Sequence, residues 1–176
     1  FSPFSRLPGE WAGSFYAGSS IKFPASADFA FGTGNFTVEL FVFLNSWAGD
    51  AVMVDFRPSN GNYANTFGFS LDSNGQPKIY SNQSINLGGT VSLGAWHHVA
   101  LVKTSGALTV YIDGVGESAV SNSINFSTNG APSIGATKSG LDNSGSFDGC
   151  ISNVRVVKGT AVYTSDFAPP TCNLTA

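Results

Sequence analysis

Residues 36–44 read FTVELFVFL. Alternation along an extended chain sets Phe36, Val38, Leu40, Val42 and Leu44 on one face and Thr37, Glu39, Phe41 and Phe43 on the other. Both faces are largely apolar, so the stretch predicts a strand inside a sandwich, covered on both sides. A lone Glu39 on such a strand is expected to be buried and satisfied by hydrogen bonds. The second deciding stretch is WHHVALVK at 96–103, then Thr104-Ser105-Gly106-Ala107, then LTVYID at 108–113. Two apolar, β-branched runs around a short Gly-containing loop predict a hairpin. Asp113-Gly114 then makes a tight turn into 115–120, because Gly tolerates the left-handed geometry there.

Outward from these two stretches the punctuation is that of an all-β chain. Further strands are expected at 14–17, 20–23, 51–56, 66–72, 77–81, 131–135, 147–157 and 161–163, with one turn of helix at 24–29 capped by Ser26. Asn60-Gly61, Asn74-Gly75 and Asn129-Gly130 supply turns. Short strands with regular turns predict a two-sheet antiparallel sandwich or jelly roll. With 176 residues, no internal repeat and no linker, residues 1–176 are expected to form one domain, with the tail from about 164 to 176 packed back on the sandwich.

Composition narrows the function. Charged residues make up 11% of the chain, against about 25% in an average soluble protein, while 42% of residues are hydrophobic. Disorder is excluded by that apolar content. A net charge of −3 with eight scattered basic residues argues against nucleic acid, whose backbone demands a basic patch. No apolar run approaches the ~18 residues needed to span a bilayer, so membrane insertion is not expected. A surface kept in water by Ser, Thr, Asn and Gly points to an extracellular or virion location. The chain opens on Phe1, as a processed product or a piece of a longer chain would.

Five stretches carry a resemblance: GSSIKF (18–23), NFTVELFVFL (35–44), WHHVALVK (96–103), LTVYIDG (108–114) and FDGCISNVRVVKGTAVYTSDFAP (147–169). In this order they resemble the laminin-G-like, concanavalin-A-like jelly-roll superfamily. The terminal ISNVRVVKGTAVYTSDFAPP is similar to a narrower group, found in structural and fibre proteins of tailed phages, cyanophages especially, and in large bacterial surface proteins. This superfold hosts lectins, adhesion modules, hydrolases and purely structural domains, so the resemblance speaks to fold more than to function. In it, Trp96 is expected to fill space between the sheets, and Arg155 and Lys158 to keep an outer face wet.

Candidate chemistry follows. His97 and His98 are adjacent and point to opposite faces, so one is expected inside and the other near solvent, and they cannot share a metal. Glycosidases of this fold carry paired carboxylates on one strand face; Glu39 has no acid at 37, 41 or 43, and glycosidase chemistry is not expected. No G-x-S-x-G elbow, Walker loop or HExxH is present, and no Ser is marked by a nearby His in sequence. Sugar binding needs an exposed ring beside polar groups; Trp47, Asp50, Asn62 and Tyr63 are the expected glycan site, with Trp11 in a similar loop. Asp142, Asn143 and Asp148 lie within seven residues in a Gly/Ser-rich loop whose oxygens would suit calcium, against a solvated turn as the plainer reading. No other cofactor is expected. Laminin-G domains often carry a C-terminal disulfide, so the resemblance implies a Cys150–Cys172 bond, closing a loop worth roughly 3 kcal/mol; two buried thiols are the alternative.

The expectation is a non-enzymatic binding and structural module displayed on a virion, as capsid decoration, fibre or adhesin. Its partners would be host-surface glycans or neighbouring virion or surface proteins, with self-association or capsid-lattice contact open. The rivals are an adhesion domain of a bacterial or algal surface protein, a cement subunit touching only other subunits, and a carbohydrate-active enzyme with an unrecognised site.

Overall fold

Thirteen strands and one 3-10 turn organise the computed structural model, which describes residues 6, 10–47, 49–58, 64–81, 83–127, 131–137 and 145–174. In chain order they are β1 (Gly13–Phe15), β2 (Ile21–Lys22), the 3-10 turn (Ala27–Phe29), β3 (Phe36–Leu44), β4 (Ala51–Asp55), β5 (Gly68–Leu71), β6 (Pro77–Ser81), β7 (Gln83–Asn86), β8 (Trp96–Thr104), β9 (Ala107–Ile112), β10 (Val115–Gly116), β11 (Val120–Ser121), β12 (Ser133–Ile134) and β13 (Gly149–Lys158). One sheet runs β1-β13-β3-β8-β9-β10, with β11 also on β9; the other runs β2-β12-β4-β5-β6-β7. Every ladder between these strands is antiparallel. This is the all-β jelly-roll sandwich that the strand pattern predicts.

The strand at 36–44 lies where its two apolar faces require, between β13 and β8 in the seven-stranded sheet. Its even-numbered residues enter the core between the sheets. There they meet a cluster of phenylalanines: the Phe36 ring stacks on Phe67 at 5.5 Å and lies 4.7 Å from Phe31. The hairpin turn is Ser105-Gly106, both at positive φ, and the next turn is Asp113-Gly114, also both at positive φ. Ser26 caps the 3-10 turn by accepting from the Asp28 amide at 3.1 Å.

Several expectations are corrected. Residues 161–163 are not a strand, and 115–120 is divided into two short strands on β9 rather than one. Strand β7 was not expected at all, since QSIN has no apolar run. Trp96 does not sit between the sheets. It opposes Phe43 on the outer face of the seven-stranded sheet, ring centroids 5.8 Å apart, because the alternation that sends Val99 and Leu101 inward sends Trp96 outward. Lys103 takes the inward side with them. It is buried, donates to the Ile124 carbonyl at 2.8 Å and lies over the Phe126 ring, and burial lowers its pKa.

The expected Cys150–Cys172 disulfide is not formed. Cys150 is buried on β13, paired with Ser14 and Phe43 on either side, while Cys172 is exposed, its carbonyl accepting from Arg6. Interior strand and surface tail hold the two sulfurs in different environments.

Candidate functional site

The two sheets present very different outer faces. That of the seven-stranded sheet is closed by the C-terminal segment. Tyr163 and Phe167 stack on each other at 3.6 Å and pack, with Ala161, over Ala100, Val102 and Tyr111. The tail is latched at the Asp113-Gly114 turn, where the Phe167 amide donates to the Gly114 carbonyl at 2.9 Å and Asp166 accepts from the Gly116 amide. A Cβ on Gly114 would lie 1.8 Å from the Phe167 oxygen, so only glycine admits this approach.

Under the tail lies Glu39, fully buried as its strand predicts. It accepts from His98 Nε2 at 2.9 Å, from Arg155 Nε at 2.7 Å and from the Tyr163 hydroxyl at 2.8 Å. Burial pushes its carboxyl up, but the hydrogen bonds from His98, Arg155 and Tyr163 and the Arg155 charge outweigh that and hold it below the ordinary carboxylate range. Burial and Glu39 together push the Tyr163 phenol up to about 12. Arg155 therefore does not keep an outer face wet; it is committed to a buried carboxylate. Lys158 caps another element, donating to the Ala27 carbonyl.

His98 is thus the buried histidine, on the outer face of its sheet but covered by the tail, and His97, on the opposite side of the strand, is the more exposed one. His97 Nδ1 meets Asp113 Oδ2 at 2.6 Å and its Nε2 meets Ser92 Oγ at 2.7 Å. A Ser is therefore matched to a His after all, five residues upstream. Asp113 also accepts from the His98 amide, so this trio fastens the loop before β8 to the β9–β10 turn.

The outer face of the six-stranded sheet carries a groove of about 400 Å³. Its floor is built by alternation. Phe69, Leu71 and Ile79 go to the core, and Gly68, Ser70, Lys78 and Tyr80 go outward. On β4 the count is broken. The register slips at Met53, so that Val52 opposes Ser70 and Asp55 opposes Gly68. Without that extra residue Asp55 would share the inward face of Ala51 and Met53. The bulge turns it outward.

Two charge pairs border the groove, each with one member lining it, Arg57 and Asp50. Arg57 grips Asp55 as a fork, Nε to Oδ1 at 2.7 Å and Nη2 to Oδ2 at 3.0 Å, and its guanidinium lies 5.1 Å over the Tyr80 ring. Gly68 makes room for them: a Cβ there would meet Asp55 Oδ1 and Arg57 Nε at 3.1 Å. At the other side Lys78 Nζ meets Asp50 Oδ1 at 2.7 Å. Gly145 and Thr137 form the lip, the Gly145 carbonyl accepting from the Val52 amide. The result is a ring and a guanidinium beside the Ser70 and Thr137 hydroxyls and the Asp50 carboxylate, with Asp55 and Lys78 paired behind them. That set offers C–H stacking together with hydrogen-bond donors and acceptors in a small space.

Of the residues singled out in the sequence, Asp50 lines this groove. Trp47 is half-buried, packed against the core beside Gly75, and is not an open platform. Asn62 and Tyr63 lie outside the described residues, as do Asp142 and Asn143. Asp148 accepts from Asn45 Nδ2 at 3.1 Å and from the Ser46 hydroxyl, joining two loops. Among the described residues no group of three or more His, Cys, Asp or Glu is placed to hold a metal. Sequence reasoning missed Asp55, Arg57, Ser70, Lys78 and Tyr80. The K-x-Y alternation in β6 was a legible signal for Lys78 and Tyr80, whereas nothing in the sequence marks the bulge.

The family model described as the concanavalin A-like lectin/glucanases superfamily (Laminin_G_3) matches residues 15–162. No curated protein sequence matches the chain. Solved structures do. Domain 4 of AbnA, a GH43 extracellular arabinanase from Geobacillus stearothermophilus, in complex with arabinotriose, is 18% identical with a TM-score of 0.62, over 89% of this chain and 80% of that one. The CBM40 of the Ruminococcus gnavus IT-sialidase, bound to α2,3 sialyllactose, is 13% identical with a TM-score of 0.66, over 87% and 94%. Domains LG4-5 of the mouse laminin α1 chain are 16% identical with a TM-score of 0.59, over 82% of this chain and 39% of that one. The chain thus spans about two fifths of the laminin structure, and at these identities the likeness is one of fold. The family match covers most of the chain, which belongs to that superfamily.

Proposed function

We propose that this superfamily member is a non-enzymatic glycan-binding module that takes a sugar in the groove over β4, β5 and β6. One observation carries the reading: one sheet face is sealed by the tail, while the other holds an open groove with a ring, a guanidinium and polar groups around a glycine floor. Sugar-bound relatives of the same fold add support. A single shallow site of this kind binds weakly and becomes useful in many copies. That suits display outside a cell or on a virion, as capsid decoration, fibre or adhesin, and the phage-like C-terminal sequence favours the virion. Among the described residues no helix is long and apolar enough to cross a membrane. A glycan array read with the wild type and Tyr80→Ala tests the site. Binding by the wild type that falls at least tenfold in the variant is expected; equal binding by both moves the site elsewhere.

A second reading, contact with neighbouring protein subunits, is favoured by a different observation. Trp11 and Tyr16 are 63% and 69% exposed, and Ile21 and Phe23 are exposed beside them, around the edge strands β1 and β2. Unpaired edges flanked by apolar side chains invite association. Sedimentation of the wild type and of Trp11→Ser with Tyr16→Ser separates the readings: a monomer at all concentrations speaks against subunit contact. For the absence of catalysis, Ser92 is the residue to probe. Covalent labelling by a fluorophosphonate would revive an enzymatic role.

A further inference from the structure

Among the described residues, each cation at the groove is matched to an acid. Arg57 holds Asp55 through two hydrogen bonds, and Lys78 holds Asp50 at 2.7 Å. Together the four side chains sum to zero charge, within a chain of net charge −3. Resting on the proposed glycan site, we infer that the groove selects neutral sugars and rejects carboxylated ones.

A sialic or uronic acid brings a carboxylate that wants an uncompensated guanidinium or ammonium. Here it would have to displace Asp55 from a fork whose carboxylate is almost wholly buried, or compete with Asp50 for Lys78. In either place it would stand within a few ångströms of a second carboxylate, where like charges raise each other's energy. A neutral pyranose or furanose meets no such conflict. Its C–H face can lie along Tyr80 and the Arg57 plane, and its hydroxyls can donate to the half-exposed Asp50 carboxylate and exchange bonds with Ser70. Hydroxyls both donate and accept, which is what a groove of paired donors and acceptors requires. Sharing a fold with a module bound to sialyllactose therefore does not carry over the ligand.

Isothermal titration and an array compare neutral oligosaccharides (arabinotriose, cellotriose, lactose) with 3′-sialyllactose and digalacturonate, at low and high salt. The expected result is binding of at least one neutral sugar, at least tenfold weaker binding of both acids, and less than a twofold change with salt. Asp50→Asn, at a half-exposed position, is expected to leave the fold intact and release Lys78, strengthening acid binding about three- to tenfold. Acids bound in preference to neutral sugars, lost in Tyr80→Ala, would overturn this inference and leave the glycan site standing. Binding of neither class would overturn both.

Discussion

Replacing Glu39 with Gln is the sharpest test of how the closed face is held. The carboxylate is fully buried and receives hydrogen bonds from three side chains, His98, Arg155 and Tyr163. A Gln keeps one oxygen. Turned toward Arg155, it still accepts there, but without charge, while its amide nitrogen must face His98 and Tyr163. Tyr163 can respond by rotating its hydroxyl to accept, and His98 by carrying its proton on Nδ1 so that Nε2 accepts. The loss is then mainly the charge-assisted part of the Arg155 pair. Breaking a buried ion pair costs about 3–5 kcal/mol, and the Arg155 side chain is 20% exposed, which places the cost near the lower end, about 3 kcal/mol. In a chain of this size each kcal/mol moves Tm by roughly 2–4 °C, so a fall of roughly 6–12 °C is expected. Urea unfolding followed by tryptophan fluorescence measures it, repeated from about pH 7 to about pH 3. The pH arm fixes the cause. Glu39 titrates below its unfolded value, so its contribution is present above the unfolded carboxylate pKa and is lost as pH falls through the folded one. The gap between wild type and variant should therefore narrow in acid. A loss under about 1 kcal/mol at neutral pH, or a gap that stays constant down to about pH 3, would refute the account.

Other consequences are as direct. Gly114→Ala drives a Cβ into the Phe167 carbonyl, so the tail should unlatch and become cleavable by dilute protease at least tenfold faster, with the sandwich itself intact; unchanged cleavage would mean the latch lies elsewhere. Tyr163 ionises at about 12, above its unfolded value; its contribution is present below the unfolded pKa and lost as pH rises through the folded one, and absorbance titration should show two of the five tyrosines ionising late, Tyr163 and the likewise raised Tyr111. Gly68→Val should crowd the Asp55–Arg57 fork, fill the groove floor and abolish sugar binding, with a lower urea midpoint; unchanged sugar binding by titration would place the site elsewhere. Alkylation of the denatured protein without reductant should add two labels by intact mass; none would show that Cys150 and Cys172 are joined.

The sequence by itself determined the architecture. Alternation in 36–44 and 96–113 depends only on the two-residue period of a strand, and Ser105-Gly106 and Asp113-Gly114 only on local φ preferences. These are near-neighbour effects, readable one residue after another. Two apolar faces on β3 also said that something must cover the far side of its sheet, though not that Tyr163 and Phe167 would do so. The candidate site was of the other kind. Asp55, Gly68 and Tyr80 lie far apart in the chain and become neighbours through the register of β4 on β5 and of β5 on β6. A single extra residue at Met53 decides that Asp55 faces the groove and not the core, because one step along a strand reverses every side chain after it. Likewise Ser92 finds His97 through a loop fold that no spacing rule anticipates. Local periodicity fixes which faces are apolar; only the pairing of distant strands decides which polar groups meet.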